Sequence, residues 1–86
     1  MTADAVFVGS KPVASYVLAA LSQLRHGDAV VLKARGRAIS RAVDVAEVLR
    51  NNVPGLTAKA VSIGTEELGK NGEKIRVSTI EITLGR

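Results

Sequence analysis

The apolar run Ala29-Val30-Val31-Leu32 passes without a spacer into "KARGRAISRA", Lys33 to Ala42, which holds four cations and no acid. A pattern of helical spacing starts inside that stretch and continues to about Asn52. A short apolar run followed at once by a 3.6-residue period reads as a strand handing over to a helix within a few residues. This junction constrains the fold and raises a question of function. A block of fixed positive charge there can serve as an anion-binding catalytic loop, as a nucleic-acid contact, or as an ordinary solvated turn.

The rest of the chain supplies similar units. "DAVFVG", Asp4 to Gly9, reads as a buried strand. Pro12 suits a first helical position, with Ser10 as a capping residue nearby. Val13, Tyr16, Val17, Ala20, Leu21 and Leu24 recur on one helical face, and Arg25-His26-Gly27 closes that helix with cations and a left-handed glycine. Asp28 to Ala34 is the second strand, and its continuous apolar run predicts cover on both faces.

In the second helix Ile39, Ala42, Val43, Ala46, Leu49 and Val53 form a stripe that Val45 and Val48 widen. That width exceeds what one sheet needs, so part of it is expected to face a partner chain. Pro54-Gly55 breaks the helix. Leu56 to Glu67 is a third strand, Leu68 to Lys74 a turn, and Ile75 to Leu84 a fourth strand. The apolar phase of the fourth strand slips between Val77 and Ile80, which a bulge or a second buried face would explain. The order is β-α-β-α-β-β in one domain spanning residues 1–86, with no repeats or linkers.

Composition narrows the chemistry. At 86 residues the chain buries only roughly 60–65 % of its unfolded surface, so oligomerisation would help it. It is 47 % hydrophobic, but Phe7 and Tyr16 are its only aromatics, and both are expected in the core. Without cysteine there is no disulfide, thiolate or Cys-type zinc site. The lack of cysteine suits an intracellular protein without demanding it, and no signal peptide or membrane span is read in the sequence.

The net charge of +4 equals the charge of Lys33, Arg35, Arg37 and Arg41, because the other eight cations balance the eight acids. A local excess of this kind is what a polyanion-binding face requires.

The catalytic inventory is nearly empty. His26, the one histidine, stands before a glycine at a helix end, where a capping cation is the ordinary role. Asp44 and Glu47 are placed to pair with Arg41 and Arg50 on their own helix. Glu66 and Glu67 are adjacent on a strand and point to opposite faces, a poor metal or acid/base pair. "GSKP" lacks Walker spacing, and "ARGRA" lacks the later glycines of a dinucleotide loop. No enzyme activity, cofactor or metal is expected.

The basic stretch also breaks a local rule. Arg37 and Arg41 stand near the positive end of a helix, where cations are unfavourable by a few tenths of a kcal/mol each. Uncompensated violations of this kind mark functional sites. Gly36 permits a sharp turn and close approach of a large anion. Lys11 occupies the matching position after the first strand, and both junctions can share one rim if the helices pack on one face of the sheet. The hairpin cations Lys70, Lys74 and Arg76 are a weaker third contact. With both aromatics in the core, binding would be led by phosphates, indifferent to sequence and suited to duplex.

"VFVGSKPVASYVLAAL", "VLKARGRAISRAVDVAEVLRN" and "IGTEEL…VSTIEITL" together resemble the Alba family of archaeal chromatin proteins, over nearly the whole chain. The resemblance implies an α+β two-layer sandwich, a four-stranded mixed sheet with two helices on one face, similar to the C-terminal domain of translation initiation factor three. It implies a homodimer, or a heterodimer with a paralogue, that binds double-stranded DNA and RNA without sequence specificity and associates with the chromosome in the cytoplasm.

Carried onto this chain, the backbone contacts fall on Lys11, Lys33, Arg35, Gly36 and Arg37, with Arg41 close by. The hairpin bearing Lys70, Lys74 and Arg76 would reach towards the minor groove. An RNA-binding role in a particle such as ribonuclease P is the alternative. Two departures stand out. "GSKP" puts Ser10 where the family often has the first lysine of "GKKP", the one linked with acetylation that weakens DNA binding. "RNNV" puts Val53 where "RNRF" offers an aromatic for contact between neighbouring dimers, so Val53 predicts weaker cooperativity or a modifying paralogue.

Overall fold

In the computed structural model, which describes residues 4–86 apart from the side chains of Asp4 and Lys70, a strand–helix pair is repeated and followed by a long hairpin. The elements are β1 (Asp4–Phe7), α1 (Val13–Leu24), β2 (Ala29–Arg35), a 3-10 turn (Gly36–Ala38), α2 (Ile39–Asn52), β3 (Thr57–Lys70) and β4 (Glu73–Gly85). The strands form one sheet in the order β1-β2-β4-β3, with β1 parallel to β2 and the other pairs antiparallel. Both helices lie on one face, so the fold is the α+β two-layer sandwich with a mixed sheet.

Alternation decides which side chains meet the helices. Val6 and Val8 of the first strand segment, Val30, Leu32 and Ala34 of β2, and Ile80, Ile82 and Leu84 of β4 are buried. They pack with Tyr16, Ala20 and Leu24 of α1 and with Ala42, Val45, Ala46 and Leu49 of α2. The same alternation overturns the placement of Phe7 in the core. With two valines turned inward on either side of it, the ring must face away, and it is 73 % exposed. Cover of β2 on both faces is also corrected, because Val31 and Lys33 on the helix-free face are only half-buried.

The hairpin is longer than the sequence suggests. The expected loop Leu68 to Lys74 is in fact strand on both sides of a two-residue turn at Asn71 and Gly72, both with positive φ. β2 pairs with β4 only as far as Thr79, so residues 65–70 and 73–78 continue as a free two-stranded ribbon, about 20 Å at ~3.3 Å per residue. β4 contains no bulge. The register shift lies in β3, between Ala58 and Ala60. The odd-numbered apolar residues of β4 face away from the helices: Val77 packs under the Gly36 turn, and Ile75 sits across from Leu68 on the ribbon.

Both helix ends of α1 differ from expectation. The helix starts at Val13 with Pro12 before it and no side-chain cap, so Ser10 does not cap it. Gly27 is not left-handed; its N–H and that of His26 both reach the carbonyl of Gln23. No helix among the described residues is long and apolar enough to cross a membrane.

Candidate nucleic-acid interface

Because β1 and β2 are parallel neighbours with Phe7 opposite Lys33, their C-terminal ends leave the sheet at the same edge. The loop carrying Lys11 and the turn carrying Arg37 therefore share one rim. Gly36 makes the second loop possible. Its φ of +57° is left-handed, and a Cβ there would stand 3.3 Å from Val77 Cγ1. The chain then makes one 3-10 turn and enters α2, whose first turn has neither a side-chain cap nor an acid. The helical path begins with that turn, where the Ile39 N–H donates to the Gly36 carbonyl.

The first loop is held by a hydroxyl. Buried Tyr16 accepts hydrogen bonds from the backbone N–H of Gly9 at 2.9 Å and of Lys11 at 3.0 Å. Arg41 then ties the two loops together, its guanidinium donating to the Gly9 carbonyl at 2.8 Å. The expected pairing of Arg41 with Asp44 does not form, because this carbonyl takes the guanidinium instead. Glu47 and Arg50 do pair, at 2.7 Å, and the Arg50 guanidinium holds the Glu47 carboxyl below its usual range. Both are exposed, and such pairs contribute little.

The four cations of "KARGRAISRA" divide into two groups. Lys33 and Arg35 point to the helix-free sheet face, where acids from distant strands meet them: Lys33 Nζ lies 3.4 Å from Glu81 and Arg35 3.1 Å from Glu66. Arg37 and Lys11 are exposed, and neither has an acid within ion-pair distance among the described residues. The positive field of the rim therefore comes from Lys11, Arg37 and the half-buried Arg41.

Lys74 and Arg76 ride on the ribbon, away from the rim. Arg76 stands 3.5 Å from Glu67, while Lys74 faces Gly69. The backbone of Lys70 is the last residue of β3, and its side chain lies outside the described residues. Val53 is half-buried against the core. Among the described residues, no cluster of three His, Asp or Glu could hold a metal ion.

Sequence reasoning missed Tyr16, Glu66 and Glu81. A buried tyrosine hydroxyl needs a partner, which was a usable signal for the first. The two glutamates are neighbours only across strands, and nothing local announces them.

A family model described as Alba matches residues 4–66. The chain is 54 % identical over 86 residues to the "DNA/RNA-binding protein Alba" of Methanocella arvoryzae, covering 96 % of this chain and 90 % of that protein. It is 49 % identical over 88 residues to the "DNA/RNA-binding protein Alba 1" of Archaeoglobus fulgidus, covering 100 % of this chain and 99 % of that one. Its fold superposes on the solved structure of Alba from Thermoplasma volcanium with a TM-score of 0.88 at 42 % identity, over 95 % of this chain and 99 % of that one.

Tyr16→Phe removes the shared acceptor and leaves the Gly9 and Lys11 N–H groups without their partner. The expected loss is about 1–3 kcal/mol of folding stability, measured by urea unfolding at fixed protein concentration. An unchanged midpoint would mean that the hydroxyl does not hold the loop.

Proposed function

This chain belongs to the Alba family, and from that premise we infer that it is a dimeric architectural protein that binds double-stranded DNA, and RNA, through their phosphates without reading sequence. The observation that carries this reading is the rim itself. Among the described residues Lys11 and Arg37 have no acid partner there, and they stand beside the start of α2 in a frame fixed by Tyr16 and Arg41. Arginine and lysine beside a helix start are suited to phosphate. The names of the relatives, "DNA/RNA-binding protein Alba" and "DNA/RNA-binding protein Alba 1", support the same ligand class.

Lys33 and Arg35 join the contact when a phosphate competes with Glu81 and Glu66 for them, which makes them the weaker members. Gly36 allows the backbone to approach. On each ribbon Lys70, Lys74 and Arg76 reach along the duplex towards its minor groove. Such a protein works as a chromosome-associated binding partner and not as an enzyme.

Dimerisation is supported by an uncovered apolar strip. Val61 pairs across from Ile82, and Ile63 from Ile80, so both point to the helix side of the sheet. Edge strand β3 lies beyond the helices there, and these side chains are 59 % and 83 % exposed. Val43 and Val48 of α2 also stay exposed, whereas Val45 of the widened stripe is fully buried. A second copy laid on this strip removes apolar surface from water and carries a second rim and ribbon into the same particle.

Two outcomes are expected. Arg37→Ala and Lys11→Ala each weaken duplex binding by a similar factor for every sequence, and by more than Arg35→Ala does; competition titrations with unrelated duplexes measure this. A loss confined to one sequence would contradict phosphate-led binding. Ile63→Asp gives a monomer in sedimentation with the same helix content by circular dichroism. An unaltered dimer would put the interface elsewhere.

A further inference from the structure

We propose that the helix-free sheet face around Phe7 binds an unpaired base of single-stranded RNA or DNA, so that the protein holds single strands by a contact it does not use on duplex. The inference rests on the phosphate-binding rim, which would deliver the strand.

Phe7 is the one exposed aromatic ring in the chain, at 73 %. It does not stand alone on a convex surface. It lines an open cavity of about 710 Å³ with Lys33, Arg35, Glu66, Thr79 and Glu81, a size that admits small organic ligands. Its lining also includes Gly9 and Ala38, from the two loops of the rim, and Tyr16 of α1, which holds the first of those loops. A strand whose phosphates lie on Lys11 and Arg37 thus has a cavity within a few residues of it, next to Gly9 and Ala38.

The charges of this cavity select among the parts of a nucleotide. Lys33 is paired with Glu81 and Arg35 with Glu66, so the lining is neutral as a whole. The two carboxylates make this face a weaker site for phosphate than the rim. A base is neutral and offers what the lining lacks: a flat π face for Phe7, and an edge on which donors and acceptors alternate. Glu66 and Glu81 accept from ring or exocyclic N–H groups, while Lys33, Arg35 and the Thr79 hydroxyl donate to ring nitrogens and carbonyls.

The Lys33 ammonium lies 5.8 Å from the ring centroid, near the outer limit of a cation–π contact. Lys33 turns to the base by leaving its exposed pair with Glu81, which costs little. Bases inside a duplex have both faces stacked and cannot reach the ring, so only an unpaired one fits. Exposed aromatics on a four-stranded sheet are a recurrent device for holding unpaired bases.

The test compares wild type with Phe7→Leu, which keeps an apolar side chain and removes the ring. Because the residue is exposed, the variant is expected to fold; thermal melting verifies it. Affinities are measured for a short oligo-uridylate, a short oligo-thymidylate and a duplex. The expected result is about a tenfold loss on both single strands and an unchanged duplex affinity. In Phe7→Trp, indole fluorescence is quenched by the single strands and not by the duplex. Single-strand affinity that survives Phe7→Leu, with no quenching in Phe7→Trp, overturns the base site and leaves the rim standing. Absence of duplex binding by the wild type overturns the rim, and if single strands are then also unbound, both readings fall.

Discussion

The charged end of this molecule depends on the parallel pairing of β1 with β2. Parallel neighbours must be joined by a crossover, here α1, and they end at the same edge of the sheet. Two loops far apart in sequence therefore meet there, one with Lys11 and one with Arg37. Had the strands been antiparallel, the two would sit at opposite ends and no shared rim would exist. The Tyr16 hydroxyl and the Arg41 guanidinium convert that proximity into fixed geometry, because both bind the short segment Gly9 to Lys11.

The sheet then sorts the cations by what lies across from them. On the helix-free face, β4 and β3 bring Glu81 and Glu66 to Lys33 and Arg35 and make that region neutral. At the rim Lys11 and Arg37 stand on loops outside the sheet with no acid within ion-pair distance among the described residues, and their positive charge stays available. The ribbon beyond Thr79 follows the first pattern in part, with Arg76 beside Glu67 and Lys74 across from a glycine. A single contiguous basic motif in the sequence thus becomes two surfaces of different charge, one whose cations are paired with acids and one whose cations are not.

How legible this was depended on the range of the interaction. The element order was readable because apolar spacing is local: Val30-Val31-Leu32 reads as strand, and Ala42, Val45, Ala46 and Leu49 as a helix face. The sharp turn at Gly36 was readable for the same reason. Phe7 was misplaced because hydrophobicity was weighed before alternation, and with Val6 and Val8 inward the ring had no inward position left. The long ribbon was hidden because its strands carry Glu, Lys and Gly, with no buried face to set a period. The pairing of Lys33 and Arg35 with acids from residues 66 and 81 needed the register of three strands, which no local pattern encodes.

The central claim is that the rim binds polyanion backbone by charge, and the salt dependence of duplex affinity tests it most directly. Each phosphate neutralised contributes a slope of about −0.9 in log K against log salt. A dimer using Lys11, Arg37 and Arg41 on both copies should therefore show a slope of about −5, made shallower by about 2 in Arg37→Ala. A wild-type affinity that stays flat across the same salt range would contradict the account.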